Sequence, residues 1–169
     1  MDPRVRLARQ AVESYICEGK VMDVPEDVPP ELMGPSSGVF VCIKMDGDLR
    51  GCIGTIEPVR GSLAEEIIAN AISAAVKDPR FLPLCDGELE GLDYTVDVLT
   101  PPEEVRDVRE LDPRRYGVIV ESGASRGLLL PDLEGVDSVD QQIDIARRKA
   151  FIRASDSIKL YRFEVRRYH

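Results

Sequence analysis

The 169-residue sequence has no tryptophan and a single histidine, the final residue His169. A cysteine–histidine or serine–histidine pair built within the chain would have to recruit that terminal side chain, and termini are often mobile. Its four cysteines, Cys17, Cys42, Cys52 and Cys85, show no C-x-x-C spacing and no neighbouring histidines. That argues against a self-contained zinc, iron–sulfur or thioredoxin-like site, so no metal and no cofactor is expected. In a reducing compartment all four should be thiols. No apolar run approaches the ~20 residues of a membrane helix, and "MDPRVRLARQ" lacks the apolar region of a secretory signal. A cytoplasmic protein without a membrane partner is expected. Basic residues are scarce and scattered, 22 against 31 acidic, for a net charge of −9. Such a balance repels a phosphate backbone, which disfavours nucleic acid as a partner.

What is present reads as one globular domain over residues 1–169, with 43% hydrophobic and 31% charged residues. Pro3 to Glu18 carries Val5, Ala8, Val12, Tyr15 and Ile16 at helical spacing, with Pro3 in the first turn and Gly19 as the stop. The proline-rich stretch "VPEDVPPELMGPSSG" follows as an extended surface loop. "VFVCIK" and "LRGCIGTI" are strand-like runs joined by the hairpin signal "MDGD". A turn centred on Gly47 sets Cys42 opposite Cys52 or one position off. Alternation then puts Arg50, Cys52 and Gly54 on one face, with Leu49, Gly51 and Ile53 on the other.

Ser62 and Glu65 spell a capping box for a helix that should end at Asp78, because Pro79 disfavours helical geometry in the residue before it. "LDYTVDVL" alternates as a strand and "TPP" ends it. Two short strands are expected around the turn Gly123 to Gly127. A second box, Ser138 to Gln141, opens a helix to about Ala150, and "IKLYRFEVRRYH" reads as one closing strand. Hairpins broken up by about three helices indicate α+β with a mainly antiparallel sheet.

The candidate site centres on "LRGCIG". Gly51 and Gly54 carry no side chains, so a ligand could approach the backbone beside Cys52. Arg50 shares its strand face, and a fixed positive charge nearby lowers a thiol pKa. The competing reading is a small apolar cysteine packed in a strand whose glycines mark a bulge. Cys17, Cys42 and Cys85 fit that packing reading better still, although Cys42 could also resolve a bond made by Cys52. In "KDPRFLPL", Asp78 and Arg80 are either a solvated ion pair or additions to the same cleft, Arg80 binding a carboxylate or phosphate and Asp78 orienting it or acting as a base.

The ordered series "LRGCIGT", "AAVKDPRFLPL", "YTVDVLTPPE", "GLLLP" and "RRKAFI" resembles the AMMECR domain family over nearly the whole chain. That resemblance implies a compact α+β domain with larger and smaller lobes around a cleft, and an activity not yet characterised. The "LRGCIG" segment is the family's proposed site. It further implies, as partners, a Memo-like protein and a radical SAM enzyme in the AmmeMemoRadiSam system. Many members carry a C-x-K-A-G run in the late helix. Here Arg147 and Phe151 stand at its first and last places, so no role for that cysteine carries over.

On this reading Cys52 and Asp78 are the catalytic candidates, and Arg50, Gly51, Gly54, Thr55 and Arg80 are the substrate-binding ones, with a small anionic ligand or a peptide as occupant. The alternative is a non-enzymatic module that binds a peptide in the glycine-lined groove while Cys52 only packs.

Overall fold

A computed structural model describes all residues, 1–169. Asp2 caps the first helix, α1 (Pro3–Glu18), by accepting from the Arg4 N–H, and Gly19 ends it with a left-handed φ of 68°. The hairpin of β1 (Val39–Met45) and β2 (Asp48–Thr55) turns on Asp46 and Gly47, both at positive φ. Next come α2 (Leu63–Val76), β3 (Leu92–Leu99), β4 (Glu103–Val105), β5 (Gly117–Ser122), β6 (Ser125–Leu129), α3 (Val139–Lys149), β7 (Lys159–Phe163) and β8 (Val165–Tyr168). The fold class is α+β, as the periodicities indicate.

The chain packs as two compact units, residues 1–98 with 166–169, and residues 99–165. In the first, a four-stranded sheet runs in the order β2-β1-β3-β8. Val39, Val41 and Ile43 of β1 and Val96 of β3 join Leu7, Ala8 and Val12 of α1 and Ile67 and Ala71 of α2 in one core. Each fully buried valine, leucine or isoleucine there contributes roughly 1.5–3 kcal/mol. In the second, the order is β4-β7-β5-β6, and Val118, Val120 and Leu129 pack with Ala146 of α3.

The closing segment departs from the single strand expected. It is divided at Glu164 into β7, paired with β4 and β5 in one sheet, and β8, beside β3 in the other. The division occurs where the Glu164 N–H donates to Thr100 Oγ1 and its carbonyl accepts from the Thr100 N–H. Alternating hydrophobicity is the same on both sides of such a break, so the pattern does not reveal it. The helix after Ser62 ends at Val76, two residues before Asp78.

Candidate functional site

Cys42 and Cys52 lie directly opposite each other on β1 and β2. They form a disulfide with a Cα–Cα distance of 4.1 Å. This corrects the expectation of four thiols. Cys17 and Cys85 are free but exposed rather than packed. Both residues of the disulfide are half-buried. They occupy the sheet face opposite Val41 and Ile43, with Thr95 of β3 next to Cys42 in the cross-strand row.

Beside the pair the ladder slips. Ile43 faces Gly51 and Lys44 faces Leu49, so Arg50 is the extra residue of a β-bulge. The bulge turns Arg50 to the Glu88 carboxylate, Nε–Oε1 2.8 Å and Nη2–Oε2 3.2 Å, and its Nη1 donates to the Leu82 carbonyl at 2.8 Å. Glu88 also accepts from the N–H and thiol of Cys85. The Arg50 hydrogen bond, with help from the Cys85 N–H, lowers the Glu88 pKa to about 2. Arg50 therefore ties down the 3₁₀ turn Asp86–Gly91, and its guanidinium is spoken for within the chain.

β2 is an edge strand, and the outward edge at Cys52 is closed by two side chains. The Cys52 N–H donates to Asp78 Oδ2 at 3.0 Å, and its carbonyl accepts from Arg80 Nη2 at 3.3 Å. Asp78 and Arg80 thus take the place of a neighbouring strand for one residue. The sequence builds this clamp locally, because "DPRF" is a β-turn with aspartate first and proline second, closed by the Phe81 N–H on the Asp78 carbonyl at 3.1 Å. Asp78 Oδ1 accepts from the Arg80 N–H and Nε, both at 3.0 Å, and Oδ2 accepts from Arg80 Nη2 at 2.7 Å.

The Asp78 carboxyl is held well below the usual carboxylate range, chiefly by the Arg80 side chain and then by the N–H groups of Cys52 and Arg80, which outweigh the cost of burial. Arg80 is raised correspondingly by Asp78. Of the two roles considered for Asp78, orienting suits this geometry. A base needs a proton affinity this carboxylate has lost. Arg80 keeps Nη1 outside the clamp, and 55% of its side chain is exposed.

The two glycines are explained by packing, which corrects the idea that they leave a groove for a ligand. A Cβ on Gly51 would collide with the Ala74 carbonyl of α2, and one on Gly54 with the Phe40 ring and the Val39 carbonyl. Thr55 belongs to a different network on the helix side. Its hydroxyl donates to Glu66 Oε1 at 2.6 Å and accepts from Asn70 Nδ2 at 3.1 Å. Glu66, 1% exposed, also accepts from Ser36 and from the N–H groups of Val59 and Arg60, so it fastens the loop before α2. The structure therefore gathers Cys52, Asp78 and Arg80 at one place, adds Cys42, and sets Arg50, Gly51, Gly54 and Thr55 to holding the surrounding fold.

A family model described as AMMECR1 matches residues 5–168. A Thermotoga maritima protein is 52% identical over 168 residues, which cover 98% of this chain and 97% of that one. The Clostridium acetobutylicum protein CA_C1420 is 47% identical over 168 residues, which are 99% of this chain but only 36% of its own length. Among solved structures, the uncharacterized protein PH0010 from Pyrococcus horikoshii superposes with a TM-score of 0.88 at 37% identity, covering 97% of this chain and 88% of that one.

Proposed function

The chain belongs to the AMMECR1 family, and on that footing we propose that it is a thiol–disulfide component of a modification system, in which Cys52 exchanges disulfides and Cys42 resolves them. The observation that carries this is the pairing of two half-buried cysteines on neighbouring strands at the residue whose backbone is gripped by Asp78 and Arg80. Of the two sulfurs, Cys52 is on the edge strand β2 and Cys42 on the inner strand β1, so the first attack is assigned to Cys52.

In the reduced form the Cys52 thiolate attacks one sulfur of a substrate disulfide. A Cys52–substrate bond forms, the substrate's S–S bond breaks, and the other substrate sulfur leaves as a thiolate. Cys42 then attacks Cys52 Sγ, forms the intramolecular disulfide and releases the second substrate thiolate. The substrate gains two electrons and the protein loses two. A dithiol reductant restores the starting state by the same exchanges in reverse.

We place this chemistry in the cytoplasm, where a disulfide is ordinarily catalytic or redox-sensing rather than structural. The partners proposed are a Memo-like protein and a radical SAM enzyme. The Clostridium relative, most of whose length lies outside the matched region, supports a domain that works beside other protein parts. A passive peptide-binding groove is disfavoured by the atoms that fill the space beside Gly51 and Gly54.

The test uses protein lacking the exposed thiols (Cys17→Ser, Cys85→Ser), reduced and then mixed with glutathione disulfide. With Cys42→Ser added, one glutathione should stay on Cys52. With Cys42 intact, none should stay and the Cys42–Cys52 bond should form. Absence of glutathione from Cys52 in the Cys42→Ser protein, or equal retention in both, contradicts the reading.

A further inference from the structure

Phe151 is the residue the fold explains least. It follows α3 at φ 57°, a left-handed conformation that glycine adopts freely and a bulky side chain rarely does. The backbone there needs the conformation, since the Phe151 and Ile152 N–H groups return to the Arg148 and Arg147 carbonyls at 3.1 and 3.0 Å. The side chain gains nothing within the chain, being 94% exposed. A strained residue that presents a large apolar group to water points to a contact outside the molecule. Its neighbours along the chain are basic in an acidic protein: Arg147, Arg148 and Lys149 in the last turn of α3, and Arg153 just beyond. Arg148 is paired with Asp144, whereas the Arg153 guanidinium has no partner.

A complementary surface exists on the same chain. Met22, Val24, Ile68, Ala69 and Ile72 line a cavity of about 370 Å³ between the segment after α1 and the face of α2. About 150 Å³ is enough to hold a benzene ring, so a phenyl group fits this open cavity, lying against Met22, Ile68 and Ile72 with Ser73 and the charged side chains beside it. Its rim carries Asp23 and Glu65 together with Arg60 and Lys77. Residues 18–27 are acidic, with Glu18, Asp23, Glu26 and Asp27 against Lys20 alone.

We propose that Phe151 of one copy seats in this cavity of a second copy, with Arg148 and Arg153 facing the acidic segment 18–27. The contact joins two different surfaces, so it is either exchanged mutually in a closed dimer or repeated along a chain of molecules. It rests on none of the chemistry assigned to Cys42 and Cys52.

Sedimentation velocity from micromolar to near-millimolar protein, under reducing conditions, tests it. The weight-average mass should rise above the 18.8 kDa of one chain. Phe151→Ala and the cavity-filling Ala69→Trp should each weaken association at least tenfold. Mixed together, the two variants should recover a two-chain species, because one retains the cavity and the other the phenyl ring. Arg153→Glu should weaken association without disturbing the core and serves if Ala69→Trp misfolds. Raised salt should also loosen the contact. A wild-type protein monomeric throughout, or a Phe151→Ala protein that associates as wild type does, overturns the proposal. So does a monomer that instead sediments with phosphatidylglycerol vesicles through Phe151, which would assign Phe151 and the basic residues beside it in sequence to a membrane surface.

Discussion

The two compact units run the same circuit: a hairpin, a helix, and a strand that returns beside the first hairpin strand. β1, β2, α2 and β3 give the order β2-β1-β3, and β5, β6, α3 and β7 give β6-β5-β7. The resemblance extends to single residues. Gly51 lies against the Ala74 carbonyl of α2, and Gly127 against the Ala146 carbonyl of α3. Eleven residues after each glycine a serine caps the helix, Ser62 and Ser138. In both boxes the glutamate or glutamine reaches the N–H before the serine, Gly61 or Asp137, in place of the serine's own.

The two units then differ one residue further on. Where the first has the Cys42–Cys52 pair, the second has the cross-strand pair Ile119 and Leu128, both buried. Where Asp78 and Arg80 close both backbone groups of Cys52, only Lys149 Nζ reaches the Leu128 carbonyl, at 2.8 Å. The second unit shows that this circuit closes with two aliphatic side chains. Sulfur and its clamp at that position are therefore additions, and glycine and serine are the scaffold.

The largest expected effect should be common to both units. Gly51→Ala and Gly127→Ala each force a helix carbonyl away from a strand and should cost about 3 kcal/mol, read as a lower urea midpoint at unchanged slope. A much smaller loss at Gly127 would break the parallel. Asp78→Asn should come next, at about 2 kcal/mol, because it weakens a buried charge-assisted bond to the Cys52 N–H and the grip on Arg80. Lys149→Met, at the matching place in the second unit, removes one neutral acceptor's partner and should cost under about 1 kcal/mol. Equal losses for the two would mean that the clamp is no stronger than a strand-edge bond.

Acid should separate the units in the same sense. Asp78 and Glu88 have folded pKa values depressed below the ordinary value of about 4, so their contribution is complete above that pH. It should fade as pH falls towards about 2 for Glu88, and lower still for Asp78. In the second unit Asp107 is also lowered by Arg109, but that pair lies at the surface, where solvent screens it, and should add little. Acid unfolding of Asp78→Asn should therefore be shallower than that of wild type, and an unchanged profile would remove Asp78 from the account. Smallest of all, and opposite in sign, Phe151→Gly should stabilise by up to about 1 kcal/mol by relieving a left-handed side chain that buries nothing.

How much of this could be read from residues alone follows from how local each cause is. The bounds of α1, the turn at Asp46 and Gly47, and both serine caps depend on neighbours within a few positions, and the sequence displays them. Cys42 could be placed opposite Cys52 or one residue off; the glycines of the strand raised the possibility of a bulge but did not tell that Arg50 would be its extra residue. Gly51 and Gly54 announced a missing side chain but not what fills the gap, because the Ala74 carbonyl belongs to a helix whose docking is a tertiary event. Pro79 marked the end of the helix; that Asp78 and Arg80 would close the backbone groups of Cys52 was not legible, since 26 residues separate Asp78 from Cys52.

The contrast between a sulfur pair in one unit and an aliphatic pair in the other comes down to whether Cys42 and Cys52 act as one redox couple. Folded protein carrying Cys17→Ser and Cys85→Ser, equilibrated in glutathione buffers of graded potential, acid-quenched and alkylated, decides this by mass. The account predicts molecules with either two labels or none, converting in a single two-electron step while the native fold persists. Molecules with one label across the range, or two cysteines that stay reduced until the buffer is far more oxidising than any cell, would contradict it.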